Sequence, residues 1–178
     1  MKKNICITFF LLFLYAALHA QTADEILALL QTPAVTYGQA ALFVLEAADV
    51  EVPYDKTNGQ DAALEATRFA IEKKWLPAKA KAGDAISLEN LSLLIMKAFG
   101  LKGGPMYTLF KSAHYGYREM VYRDLIQGQS DPRMKVSGEE MLFIVSRLLY
   151  SIEDNPWGFS GERSVPVTEE NIPPEDLR

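Results

Sequence analysis

The sequence predicts an all-α fold: three helix-loop-helix repeats of about 50 residues packed as a compact pseudo-threefold bundle. Three observations predict it. Val35-Thr36-Tyr37-Gly38-Gln39, Ile86-Ser87-Leu88-Glu89-Asn90 and Val136-Ser137-Gly138-Glu139-Glu140 open apolar runs of helical period, at offsets of 51 and 50 residues. No stretch sustains apolar–polar alternation, and no hairpin dipeptide joins two alternating runs. A phrase repeated at this spacing marks a supersecondary unit that buries its apolar face only against another copy.

Residues 1–20 read as a secretory signal, with Lys2 and Lys3 before an apolar run from Ile5 to Leu18 and Leu18-His19-Ala20 as the cleavage site. That run falls short of the roughly 18–20 apolar residues that span a bilayer, so no transmembrane span is expected in the mature chain. Cys6, the chain's one cysteine, lies inside it, so the mature protein has no disulfide and relies on its apolar core.

The repeats then follow at about 21–50, 60–100 and 112–150. In the first, Thr22 and Glu25 form a capping box before a short helix that Pro33 ends. Thr36 and Gln39 form a second box before a helix through about Ala48 that carries Ala40, Phe43, Val44 and Ala47 at helical spacing. Pro53 and Asn58-Gly59 mark a loop. In the second repeat a helix from about Asp61 to Trp75 has Leu64, Phe69 and Ile71 as apolar anchors. Ser87 caps the next, which carries Leu91, Leu94, Ile95, Ala98 and Phe99 to a left-handed stop at Gly100. Gly103-Gly104-Pro105 connects to a short apolar turn, Met106 to Phe110. The third repeat has a helix from about Ala113 to Ile126, a loop with Asp131-Pro132, a Ser137/Glu140 box, and a last helix with Met141, Ile144, Val145, Leu148 and Leu149. From Ser151 the chain turns acidic and proline-rich, with seven acids against two bases, and reads as a disordered tail. Trp157 and Phe159 are its isolated aromatics, suited to folding back on the domain or to docking elsewhere.

At an offset of 50, Arg68 aligns with Arg118, Ile71 with Val121, Trp75 with Leu125 and Leu76 with Ile126. Leu125-Ile126-Gln127-Gly128 is similar to a "G-I-x-x-G" helix end with Asp124 at its first glycine, and Pro132 stands four residues before Val136. This plan resembles the S-layer homology repeat, a helix-loop-helix unit of bacterial envelope proteins that usually comes in threes. The resemblance implies a pseudo-threefold bundle whose grooves bind anionic cell-wall polysaccharide, with the arginine of the "I-T-R-A-E" signature among the ligand contacts. This chain departs from that signature: the arginine position is Tyr37, Leu88 and Gly138 in turn.

Composition bears on function mainly by exclusion. The net charge of −5 and the absence of a Lys/Arg cluster argue against nucleic acid. A lone mature histidine, His114, without cysteine predicts no metal or cofactor site. No G-x-S-x-G elbow occurs, Ser87 and Ser137 serve as caps, and Glu139-Glu140 suit a helix N-terminus. The richest polar-aromatic patch is residues 114–124. His114, Tyr115, Tyr117, Arg118, Tyr122 and Arg123 are its candidate binding residues, since tyrosine and arginine on a rigid helix make good interface anchors and suit sugar stacking. The expectation is therefore an exported, non-enzymatic protein of the periplasm or cell envelope. It would bind cell wall, as peptidoglycan or an attached glycan, through grooves between repeats. The alternative is a protein–protein adaptor using the Tyr/Arg face and the acidic tail. An enzyme pairing His114 with a nearby acid is the third reading.

Overall fold

The computed structural model describes residues 26–52, 59–128 and 131–154. The signal segment, the Thr22/Glu25 box, the Pro53–Asn58 loop and the tail beyond 154, with Trp157 and Phe159, lie outside the described residues. The fold is all-α. It comprises α1 (described over 26–30), α2 (Tyr37–Ala47), α3 (Gly59–Glu72), α4 (Leu88–Ala98), α5 (Pro105–Phe110), α6 (Ala113–Tyr122) and α7 (Gly138–Asp154). Among the described residues there is no strand, only the isolated bridges Thr36–Ala85 and Ser87–Lys135. No described helix is long and apolar enough to cross a membrane.

Those bridges belong to the centre of the molecule. Val35, Ile86 and Val136 are completely buried. Their backbones close a ring of three hydrogen bonds: the Val35 amide donates to Val136 (2.8 Å), Ile86 to Val35 (2.9 Å), and Val136 to Ile86 (3.4 Å). Flanking bonds follow the same register. The Tyr37 and Gly38 amides donate to the Asp84 and Ala82 carbonyls, and the Leu88 and Glu89 amides donate to those of Met134 and Pro132. At the third junction Gly138 donates to Thr32, one residue further upstream.

From this ring three helices lead out, two of them begun by a capping box and one without. Thr36 and Gln39 form both arms of a capping box. At α7 the Ser137 hydroxyl accepts from the Glu140 amide (3.1 Å), and the Ser137 amide donates back to the Glu140 carboxylate. Burial raises the Glu140 carboxyl above its usual range, and that amide bond offsets part of the rise. Ser87 departs from expectation, since its buried hydroxyl makes no capping bond. The residue that would complete its box, Asn90, instead donates to the Tyr37 hydroxyl at 2.8 Å.

The remaining helices pack on this set: α3 on α2 and α6 on α4, while α2 also meets α4 and α7. The α2–α3 contact is made by small residues. Ala62, Ala66 and Ala70 are buried at four-residue spacing, and a Cβ on Gly38 would stand 3.1 Å from the Ala63 Cβ. The expected anchors are displaced accordingly. Leu64 is 47% exposed, and Phe69 and Ile71 only border the core. On α7, Leu149 is 43% exposed, while Leu148 and Ile152 pack inward and carry the helix past Tyr150 to Asp154.

Four helices end alike. Asp49, Lys74, Gly100 and Asp124 have left-handed φ (52°, 59°, 61° and 57°). In each case the next amide reaches back to a carbonyl five residues before it, as Trp75 does to Ala70 and Leu125 to Met120. This stops α3 at Glu72 and α6 at Tyr122 and turns Trp75-Leu76 and Leu125-Ile126 off the helix axis, short of the ends the apolar pattern predicts.

Gly138 carries the tightest approach in the chain, because a Cβ there would fall 1.6 Å from the Leu29 carbonyl oxygen of α1. Alanine in a helix is normally preferred over glycine by about 1 kcal/mol. Gly138→Ala is nevertheless expected to destabilise the fold by about 3 kcal/mol, as overpacking does. Gly83→Ala, with nothing within 4 Å of its Cβ, should stay within about 0.5 kcal/mol of the parent. Urea unfolding of the two variants checks this; equal midpoints would show that α1 yields freely.

Candidate functional site

The candidate residues lie on α6, whose N-cap Ser112 accepts from the Tyr115 amide at 3.5 Å. Gly116 and Met120 are the buried side of this helix. A Cβ on Gly116 would stand 3.3 Å from the Leu93 Cα, so α6 lies close against α4. Its other side faces the loop 101–104 and α5, which Pro105 starts from the N1 position.

Between them is a cleft of about 240 Å³ lined by Gly104, Pro105, Met106, Tyr107, Tyr115, Arg118, Glu119 and Tyr122. Three of the six candidates, Tyr115, Arg118 and Tyr122, therefore share one cleft. His114 stands at its border, exposed, with its ring edge-on to Tyr115 at 5.3 Å. Tyr117 does not line the cleft; it is half-buried against the core. Arg123 is held underneath as a structural residue. Its Nε donates to the Glu119 carboxylate (2.9 Å) and its guanidinium donates to the Lys102 carbonyl, while the other Glu119 oxygen accepts from the Gly104 amide (2.9 Å). With side chains only 13% and 7% exposed, Glu119 and Arg123 clamp the loop onto α6. Helical i,i+4 spacing was the available signal for this pair.

The sequence pattern assigned α5 to an apolar turn without a role. Tyr107 is buried, with Gly103 giving it room: a Cβ there would come 2.4 Å from its ring. Met106, Leu109 and Phe110 project outward, and Leu109 is 74% exposed. Phe110 stacks on Tyr115 at 5.3 Å, which makes the outer face of α5 continuous with the cleft. Cations surround it. Lys97 places its ammonium over the Tyr107 ring at 5.9 Å, and burial, then the charge of Lys111, lowers its pKa. Lys102, Lys111 and Arg118 are exposed.

The positions of the signature arginine offer no comparable chemistry. Tyr37 is engaged by Asn90, Leu88 is completely buried, and the Leu29 carbonyl excludes any side chain at Gly138. A second, apolar groove of about 400 Å³ lies between α1 and α2, lined by Ile26, Leu29, Leu42 and Phe43 with Gln39 and Glu46 at its polar edge. Among the described residues, no three of His, Cys, Asp and Glu come together to hold a metal ion.

Two measurements probe the clamp and the buried ring. Glu119→Ala removes the charge partner of a buried guanidinium and the acceptor of the Gly104 amide, and should cost about 3 kcal/mol. Hydrogen exchange at the Gly104 amide should accelerate in parallel; unchanged exchange would mean that the clamp does not hold the loop. The Tyr107 hydroxyl is pushed up to about 12, first by burial and then by the charge of Glu119. Because the unfolded chain ionises first, near pH 10, Tyr107 contributes stability that is intact below pH 10 and lost as pH rises to about 12. Denaturation of wild type and Tyr107→Phe across that window should show a decline specific to wild type.

No protein-family model, no curated protein and no solved structure matches this chain, so what it binds is read from the α5–α6 surface itself.

Proposed function

We propose that this chain is an exported, non-catalytic binding module of the bacterial cell envelope, acting as a protein–protein adaptor through the α5–α6 face. It is built from three helix-loop-helix units, about 21–50, 60–100 and 112–150, set around a pseudo-threefold axis. The closed hydrogen-bond ring through Val35, Ile86 and Val136 supports the three-unit reading. So do the repeated flanking bonds and the left-handed helix ends at Lys74 and Asp124, the latter at the glycine position of the S-layer homology motif.

One observation carries the adaptor reading. Met106, Leu109 and Phe110 stand out into solvent beside Tyr115, Arg118 and Tyr122, and nothing in the folding of α5 requires their exposure. Contiguous apolar side chains of this kind, edged by cations and aromatics, suit a peptide partner. The cell-wall reading keeps one support, since Tyr115 and Tyr122 flank Arg118 in a cleft where a sugar could stack while its carboxylate meets the guanidinium. Binding through grooves at the signature positions has less, because Tyr37, Leu88 and Gly138 offer no cation.

Leu109→Asp and Arg118→Glu separate the readings. Both sites are exposed, so stability should move by no more than about 0.5 kcal/mol. Specific co-purification of an envelope protein with the full chain should fall at least ten-fold in each variant, and Leu64→Asp, exposed on α3, should leave it unchanged. Sedimentation with purified sacculi that is insensitive to Leu109→Asp but lost in Arg118→Glu would favour the wall instead.

A further inference from the structure

We infer that the chain's own C-terminal segment, residues 155–178, docks on the α5–α6 face and shields it. This rests on the reading of that face as a peptide-binding surface, and it names the first peptide to occupy it. Charge points to the occupant. From Lys97 to Asp124 the chain has five lysines and arginines against two acids, although its overall net charge is −5. One of those two acids, Glu119, is turned inward onto Arg123 and the Gly104 amide, so Lys102, Lys111 and Arg118 dominate the exposed charge around the apolar side chains. Residues 155–178 have the opposite balance, five acids against two arginines. They also bring apolar groups matched to Met106, Leu109 and Phe110: Trp157 and Phe159, then Val165, Val167, Ile172 and Leu177.

Reach and tethering favour the same occupant. α7 ends at Asp154, leaving 24 residues beyond it. Extended, they span roughly 80 Å, against a radius of gyration of about 14 Å for a domain of this size, so the whole surface is within range. A tethered peptide meets its site at an effective concentration on the order of millimolar, so modest contacts suffice. The consequence is competition: a partner must displace the segment, and the acids that hold it set the threshold.

The test uses the full chain and its amide and indole NMR signals. Glu162→Lys/Glu169→Lys/Glu170→Lys and, separately, Trp157→Ala should shift the amides of residues 106–118. Leu109→Asp/Lys111→Glu should shift those of residues 155–178, and raising salt from about 0.05 to 0.5 M should reproduce part of both changes. Capture of the envelope partner should rise at least three-fold in the triple tail variant. Mutual indifference of the two sets of signals would overturn the inference. Shifts that disappear on ten-fold dilution, with a dimeric mass by light scattering, would overturn it in favour of a second copy's tail. The parent reading fails separately. Indifferent signals with capture still lost in Leu109→Asp remove the docking alone. Shifted signals with no protein captured even by the triple variant leave docking in place and remove the adaptor.

Discussion

The fold depends on three backbone amides and three carbonyls, at Val35, Ile86 and Val136, that lie in an apolar centre without a sheet or helix to satisfy them. Each residue gives its donor to one neighbour and its acceptor to the other. A buried, unpaired amide or carbonyl costs about 1–3 kcal/mol, so the three segments satisfy one another only together. Removing any one of the three segments would therefore leave one donor and one acceptor open in the core. The ring also fixes register. The bonds flanking it repeat at two junctions and shift by one residue at the third, so the start of each of these helices is tied to a neighbouring segment.

The fold was legible wherever the signal was local. The Thr36/Gln39 and Ser137/Glu140 boxes are written in four consecutive residues, and both form. Gly100 announces a left-handed stop because glycine adopts that conformation without strain. Lys74 and Asp124 end helices in the same way and gave no such signal, which is why α3 and α6 read too long. The α3 face shows a second limit. A hydrophobic scale weights Leu64 and Phe69 above alanine, yet close approach of two helices selects Ala62, Ala66 and Ala70 and leaves the larger side chains outside.

The candidate site was legible in part for the same reason. Helical spacing placed Tyr115 and Tyr122 on one face, and both line the cleft. Arg123 looked like a ligand-binding cation because an exposed arginine and one clamped by Glu119 have the same sequence; only the approach of loop 101–104 distinguishes them. The apolar side chains of α5 read only as a short turn, for a related reason. Four apolar side chains in five residues fit either side of a surface, and burial of Tyr107 alone anchors the helix.

The ring shapes what each of its junctions presents. At the three junctions, the position that carries an arginine in the S-layer homology signature is taken by a hydroxyl in a side-chain bond, by a buried leucine, and by a glycine under a carbonyl. None of the three residues places a cation at its junction. The exposed apolar and cationic side chains lie instead on the segment between α4 and α6: the Gly103-Gly104-Pro105 hinge and α5. That insertion adds one buried tyrosine to the core and three apolar side chains to the surface. Its loop is secured by a charged pair rather than by packing, with Glu119 and Arg123 holding the Gly104 amide and the Lys102 carbonyl. A loop held by directed bonds at its base keeps α5 in place while leaving the helix's outer face exposed among the described residues. That face sets apolar side chains beside exposed cations, and the proposed docking of an acidic, aromatic-bearing segment rests on this pairing.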